Sequence, residues 1–230
     1  MVGPGYLYAT NFNSSSVSVI DPSTRGVIST IAVGTYPVGV VVTPDGRYAY
    51  VANSGSGNQQ NYNNSVSMIN TTTNRIVREI PIHGHPLSLA IGPDGKSLYV
   101  TTSGTSSLNI LNISQSVVVS TIPAGQGPNS VAITPDNRYA YVVDYASDEV
   151  TVIDLNSRSS VATIPVGGSP GGVAISPNGK TAYVTNTKGD SISVFNTTSR
   201  GVFATLLLGA SPAAVAFSHD GKYAYVDVYG

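Results

Sequence analysis

Two histidines spaced two positions apart are the side chains of this 230-residue chain best suited to metal chemistry. His83 and His85 could bind one zinc-like ion through their imidazole nitrogens if a third ligand lay close to them. Asp144 or Glu149, from a neighbouring repeat of the chain, could supply that ligand, whereas His219 stands in a turn predicted at the opposite end of the strands. The alternative is a pair of ordinary polar loop residues. The sequence favours that alternative, so we predict no metal site and keep His83 and His85 as weak candidates only.

A group of acidic side chains is the second place where chemistry could occur. Asp144, Asp148 and Glu149 form the densest acidic group and could bind a cation, although a solvated loop is the simpler interpretation. The chain has no cysteine, no Gly-x-Ser-x-Gly nucleophile motif and no Cys-x-x-Cys-His sequence for haem attachment. It also has no glycine-rich loop that opens a helix, as a phosphate-binding loop does. We therefore predict no catalytic residue and no cofactor.

The composition limits the classes of partner. Charged residues make up 10% of the chain, and 11 Lys and Arg are balanced by 12 Asp and Glu, so a basic surface for nucleic acid is not expected. No apolar run approaches the roughly 18 residues of a membrane span. The first residues lack the basic and apolar regions of a signal peptide. The chain is therefore expected to be cytoplasmic, or a mature or excised piece of an exported protein.

An internal repeat determines the elements that must position these residues. A tyrosine recurs at intervals of 42 residues, with one interval of 49, at Tyr8, Tyr50, Tyr99, Tyr141, Tyr183 and Tyr225. A period of about 40–45 residues is typical of β-propellers, in which each repeat is one blade. The longer interval comes from seven extra residues within 54–64. We predict one all-β propeller domain over 1–230, with repeats that begin near 8, 50, 99, 141 and 183 and a last strand at 223–229.

Each repeat contains four short β-like runs, which we name strands A to D in chain order. In the last complete repeat they are predicted at 171–176, 181–186, 191–196 and 201–209. The Pro-Asp-Gly sequences between A and B predict hairpin turns with a left-handed third residue, a position that Asn137 takes in one copy. An Asp or Asn after strand C, as at Asp154, is expected to accept hydrogen bonds from the next backbone amides. The pattern predicts four-stranded antiparallel blades.

The repeated words of this sequence resemble the YVTN-type β-propeller repeat family. They include Tyr183-Val184-Thr185-Asn186, the VSVID sequence at 17–21 and their copies, and they cover essentially the whole chain. The resemblance implies a propeller like those of archaeal surface-layer and other exported proteins, which usually have seven blades. It implies no single reaction, because related propellers serve as adhesion modules, lactone hydrolases or haem-binding reductase domains.

The predicted strand count does not divide evenly into blades. The chain opens with strands B, C and D, continues with four complete sets and ends with A and B, which gives 21 strands where five blades need 20. If the last A strand paired with the first B strand to close a ring, one B strand would be spare. We expect that strand to fray, to be displaced or to pair with another molecule, which would allow self-association. The count favours five blades, and part of a larger ring is the alternative.

The segments that vary between repeats are the predicted ligand-binding surface. In an antiparallel blade the A–B and C–D turns lie at one end, and the B–C loops and D–A connections lie at the other. The turns look purely structural, whereas the loops and connections vary and hold the only insertion, as binding segments often do. The predicted ligand-binding residues are Tyr36, Tyr62, His83, His85, Asp144, Tyr145 and Asn186. Their mixture suits a glycan or protein ligand, and ordinary solvated loops are the alternative.

The sequence favours a non-enzymatic propeller that acts as a structural or interaction module, outside the cell or at its surface. The low charge and the polar Ser, Thr, Asn and Tyr content suit that setting, which rests mainly on the resemblance. Two alternatives stay open. One is a lactonase-like hydrolase or a redox or haem-associated propeller with its site at the channel mouth. The other is a repeat fragment or engineered array without activity of its own.

Overall fold

The computed structural model describes residues 5–55 and 64–229 of the chain. In these ranges the chain forms 21 β-strands and two three-residue 3-10 turns, Phe12–Ser14 and Ser103–Thr105. No helix in the described ranges has the length and apolar character needed to cross a bilayer. The 21 strands equal the number predicted from the sequence, so the predicted strand count is confirmed.

The strands form six sheets in which hydrogen-bonded neighbours follow chain order, and we number these sheets as blades one to six. Blade one contains β1 (Leu7–Asn11), β2 (Ser16–Asp21) and β3 (Gly26–Ala32). Blade two contains β4 (Pro37–Val42), β5 (Tyr48–Asn53), β6 (Ser65–Asn70) and β7 (Arg75–Pro81). Blade three contains β8 (Pro86–Ile91), β9 (Ser97–Thr102), β10 (Ser107–Asn112) and β11 (Val117–Pro123).

The remaining blades repeat the same plan. Blade four contains β12 (Pro128–Ile133), β13 (Tyr139–Asp144), β14 (Glu149–Asp154) and β15 (Ser159–Pro165). Blade five contains β16 (Pro170–Ile175), β17 (Thr181–Asn186), β18 (Ser191–Asn196) and β19 (Val202–Leu207). Blade six contains β20 (Ser211–Phe217) and β21 (Ala224–Tyr229). The fold is a β-propeller of four-stranded antiparallel blades, as predicted.

The two terminal B strands, β1 and β21, are both ordered. The neighbour of β1 is β2, and the neighbour of β21 is β20, so each belongs to its own incomplete sheet. The expected pairing of the last A strand with the first B strand is not part of this strand order. Four complete blades are thus flanked in sequence by a three-stranded and a two-stranded sheet, and closure into five blades stays a prediction.

The turns have the conformations that their residues predict. The third residue of the A–B turn has a positive φ in every copy, from 58° at Asn137 to 72° at Gly179. Glycine has no Cβ to clash in this left-handed conformation, and asparagine tolerates it better than most residues. After strand C, the Asp154 carboxylate accepts from the Asn156 and Ser157 amides at 2.9 and 3.0 Å. The predicted turn chemistry is confirmed.

The chain divides into two compact units, one of Met1–Thr105 with Asn109–Val119 and the other of Ser106–Leu108 with Ser120–Gly230. Each unit has its own core of apolar residues that are buried away from water. In the first unit one core cluster contains Tyr50, Val66, Met68, Ile80, Ile82, Leu98, Val100 and Leu111. In the second unit the cluster contains Tyr141, Val143, Val150, Val152, Ile164, Val173, Ala182, Val184 and Phe195. The single domain over 1–230 stays a prediction.

Candidate functional site

In blades two to five, the B–C loop is tied to the D–A connection that enters the blade. The Ser54 amide donates to the Tyr36 carbonyl oxygen at 3.0 Å, and the Ser103 amide donates to that of His85 at 3.2 Å. In blade four the Tyr145 amide donates to the Gly127 carbonyl oxygen at 3.0 Å, and in blade five the Thr187 amide donates to that of Ser169 at 3.1 Å. These backbone bonds hold the variable segments together at one end of each blade, which we call its loop end, and we call the other end its turn end.

The acceptor of each of these bonds has a left-handed backbone. The φ angle is 52° at Tyr36, 56° at His85, 65° at Gly127 and 50° at Ser169. A side chain with a Cβ pays about 1–2 kcal/mol for this conformation, and such strain clusters at functional sites. This conformation could not be predicted from the sequence, because a glycine occupies the position only in blade four, as Gly127.

Tyr36 forms an aromatic pair with Phe12 at the loop end of the first unit. The two ring centroids are 4.8 Å apart, and the ring planes are inclined by 28°, which is a stacked arrangement. Phe12 is 50% exposed and Tyr36 is 37% exposed, so the pair offers aromatic surface to solvent. Exposed stacked rings are a common feature of binding surfaces, because they provide a rigid apolar contact.

A cleft of about 480 Å³ also lies in the first unit at the loop ends of blades one and two. Its lining includes Gly34, Asn64, Ser65 and Glu79. The Glu79 carboxylate accepts hydrogen bonds from the Ser65 and Ser67 hydroxyls at 2.7 and 2.6 Å, which fixes its orientation. The cleft therefore combines apolar side chains, such as Val33 and Ile76, with a carboxyl group of fixed orientation.

The two histidines lie in the D–A connection that enters blade three. His83 is exposed, whereas His85 is half-buried with its Nδ1 atom 2.8 Å from the Ser54 carbonyl oxygen. Because a carbonyl oxygen can only accept, Nδ1 of His85 carries a proton and does not serve as a metal ligand. In residues 5–55 and 64–229, no three His, Cys, Asp or Glu side chains form a metal-binding group. Among the described residues, the two histidines therefore do not belong to a group of side chains that could hold a metal ion.

Asn186, another predicted ligand-binding residue, is fully buried and bonded within its own blade. Its Nδ2 donates to the Ser191 and Ser193 hydroxyls at 3.1 and 2.9 Å, and its Oδ1 accepts from the Gly167 amide at 3.1 Å. Asn53 bonds to Ser65 and Ser67 in the same way. We call this contact, between the last residue of strand B and the first and third residues of strand C, the strand-end latch.

Asp144 occupies the latch position of blade four and is also fully buried. Its Oδ2 accepts from the Thr151 amide at 3.1 Å and from the Thr151 hydroxyl at 2.6 Å, while its Oδ1 has no hydrogen-bond partner. Burial raises the pKa of Asp144 to about 6, and the Thr151 hydrogen bonds oppose this rise only in part. The site holds a carboxyl group that titrates near neutrality beneath the protein surface.

The other acidic and aromatic candidates of blade four lie at its surface. Tyr145 is 43% exposed, and Asp148 is exposed with its Oδ1 accepting from the Ser169 amide at 2.7 Å. Asp148 and the buried Asp144 therefore have different surroundings. Tyr62 lies outside the described residues, as does most of the insertion that contains it.

Comparison with known proteins supports the propeller fold. A family model described as "Lactonase, 7-bladed beta-propeller" matches residues 85–227. Among solved structures, the hydrazine synthase of Kuenenia stuttgartiensis is similar with a TM-score of 0.87 and 26% sequence identity, over 99% of this chain and 71% of that chain. No curated protein gives a significant match. Because the family model spans more than half of the sequence, the chain belongs to the lactonase, 7-bladed β-propeller family.

Proposed function

We propose that this propeller is a non-enzymatic interaction module whose loop ends bind a protein or glycan ligand. The stacked pair of Phe12 and Tyr36 carries the proposal. A solvent-exposed aromatic pair costs hydrophobic free energy unless a ligand covers it, and the left-handed backbone at Tyr36 adds to that cost. The flat ring surface suits the apolar face of a sugar ring or a side chain of a protein.

Hydrogen-bonding groups near the rings support the same function. Asn13 and Ser14 are exposed in the 3-10 turn that also holds Phe12. The cleft lined by Gly34 and Glu79 lies at the loop ends of the same two blades. Binding sites commonly combine an apolar contact with a few polar groups that set orientation.

The test is a binding screen of the purified chain against glycans and peptides, followed by calorimetry with the best ligand. We expect Tyr36→Ala to raise the Kd at least about tenfold, which corresponds to about 1.4 kcal/mol. Tyr36→Gly should weaken binding equally while relieving the strained φ, which separates loss of the ring from a change in folding. An unchanged Kd in both variants would refute the role of the aromatic pair.

Lactone hydrolysis is the second candidate, because the chain belongs to a family described as lactonase. Burial raises the pKa of Asp144 to about 6, towards the neutral value that a general base for water attack requires. It is fully buried, so the loop end of blade four would have to open for a lactone to reach it. Hydrolysis of simple sugar lactones that Asp144→Asn abolishes would support this function. No hydrolysis by the wild type would contradict the function, and equal non-zero rates in both proteins would exclude the role of Asp144.

We further propose that the chain is a YVTN-type repeat protein that works outside the cell or at its surface. The repeated YVTN words and the 10% content of charged residues support this proposal. Surface biotinylation of intact cells, with a cytoplasmic protein as the control, is the test. Labelling no stronger than that of the control would contradict it.

A further inference from the structure

A basic pocket lies in the second unit, at the turn ends of blades four and five. It has a volume of about 380 Å³ and is lined by the A–B turns of both blades and by the C–D turn of blade five. Three of its lining residues are cationic, namely Arg138, Lys180 and Arg200. Asp136 is its single acidic residue, so the formal charge of the lining is positive by two.

The negative charge of Asp136 is engaged within its own turn. Its Oδ1 accepts from the Thr134 hydroxyl at 2.5 Å and from the Arg138 backbone amide at 3.0 Å. These bonds lower the pKa of Asp136, so the carboxylate stays ionised. In the described part of the chain the single ion pair joins Lys222 and Asp220. The three cations of the pocket therefore lack a carboxylate partner within ion-pair distance.

The two guanidinium groups meet at one aromatic ring. The Cζ atoms of Arg138 and Arg200 lie 5.0 and 5.3 Å from the ring centroid of Tyr139. The Nε atom of Arg200 is buried and has no hydrogen-bond partner within 3.5 Å, although the guanidinium group interacts with the Tyr141 hydroxyl and opposes the rise that burial causes in the pKa of Tyr141. Two like charges beside one ring repel each other, and a buried donor without a partner is costly, so an anion between them would relieve both effects.

The equivalent position in the first unit, between blades two and three, shows what is particular to this pocket. There Arg47 and Lys96 correspond to Arg138 and Lys180, but Ser116 stands in place of Arg200. Ser116 has a φ of 55°, close to the 59° of Arg200, and its hydroxyl donates to the Ile113 carbonyl oxygen at 3.4 Å. The third cation of the pocket is therefore absent from the equivalent position between blades two and three.

We propose that this pocket binds a small phosphate monoester. Guanidinium groups match the oxygens of a phosphate in geometry, and a phosphate dianion balances the two excess positive charges of the lining. The volume exceeds that of a phosphate group alone. The exposed Thr198 hydroxyl and the Tyr139 ring offer contacts for the organic part of the ligand.

The experiment is calorimetric titration of the full chain with glycerol 3-phosphate and with inorganic phosphate, at constant ionic strength in chloride. We expect both probes to bind, the ester more tightly, and we expect Arg200→Ser to raise both Kd values at least about tenfold. This variant copies the natural residue and backbone conformation of Ser116, so the turn should keep its shape. Lys180→Gln should also weaken binding and is the second variant if Arg200→Ser unfolds.

Lys96→Gln, in the equivalent turn of the first unit, is the matched control and should leave both Kd values unchanged. Three outcomes would overturn the proposal. They are the absence of binding at about 10 mM probe, equal Kd values for the wild type and both pocket variants, or an equal loss of affinity in Lys96→Gln. Because the pocket shares no residue with the loop ends, these outcomes are independent of ligand binding by Tyr36.

Discussion

At the scale of single residues, Asp144 shows how one substitution in a repeat changes the chemistry of a position. Asn11, Asn53 and Asn186 occupy the latch position in other blades, where an amide donates to two hydroxyls. In blade four a carboxyl group takes this place, keeps one oxygen without a partner and has a pKa raised to about 6 by burial. A neutral amide would meet no such penalty, because it has no charge to desolvate.

This shift predicts how stability depends on pH. The pKa of Asp144 is about 6 in the folded chain against an ordinary 3.8, so between these values the folded state holds more protons than the unfolded state. The free energy of unfolding should therefore fall from pH 4 to pH 6, by at most about 3 kcal/mol, and Asp144→Asn should remove this component.

Urea unfolding of the wild type and of Asp144→Asn between pH 4 and 8 measures this contribution of Asp144 to the free energy of unfolding. The two proteins share all other titrating groups, so the difference between them belongs to Asp144. The wild type should lose stability relative to Asp144→Asn as the pH rises through 6. Parallel curves over the whole range would contradict the burial of an ionisable carboxyl group.

At the scale of elements, the latch depends on close approach by the D–A connection. A Cβ added to Gly34, Gly125 or Gly167 would lie 2.6–2.7 Å from the latch side chain. At Gly168, the neighbour of Gly167, the nearest atom is the Lys188 Cβ at 3.9 Å, an ordinary contact. Packing alone requires glycine at Gly34, Gly125 and Gly167, because none of the three has a positive φ.

Two alanine substitutions test this requirement. Gly167→Ala should lower the free energy of unfolding by about 1–3 kcal/mol, because the new methyl group displaces the Asn186 amide. Gly168→Ala should change it by less than about 0.5 kcal/mol. Both variants are measured by urea unfolding. Equal losses of stability would mean that close packing against the latch residue is not the reason for glycine at position 167.

The elements also show what could be predicted from sequence. Turn residues such as Asp45 and Asn137 act through their own neighbours, so their hydrogen bonds and left-handed backbone could be predicted locally. The role of Asn186 could not, because β17 is buried on both faces and its alternation does not reveal where the last side chain points. Arg138 and Arg200 are distant in sequence and meet at Tyr139 only when two blades pack. The turn ends were consequently expected to be purely structural.

At the scale of the whole molecule, the two incomplete sheets are the most consequential feature. In β21 the side chains of Tyr225 and Tyr229 are 64% and 67% exposed, whereas Tyr141, the equivalent of Tyr225 in blade four, is fully buried. The edge of β21 opposite β20 has no strand beside it in the described part of the chain. An apolar strand with a free edge is a template for pairing with another chain.

We expect this edge to cause self-association. The sedimentation coefficient of the wild type should rise with concentration, and the double substitution Tyr225→Lys and Val228→Lys should abolish the rise, because charges on an edge strand oppose pairing. Tyr145→Lys, at an exposed loop position, is the control. A wild type that sediments identically at all concentrations would refute the expectation.

The strand-end latch has a consequence for how such a chain can change. In blades two and five it joins residues of strands B and C of one blade, so the loop between them carries no part of it. Loop sequences can therefore be randomised and selected for new ligands while the latch residues stay fixed. Blades two and five are therefore suitable scaffolds for a display library in which the B–C loop is varied and the fold is kept.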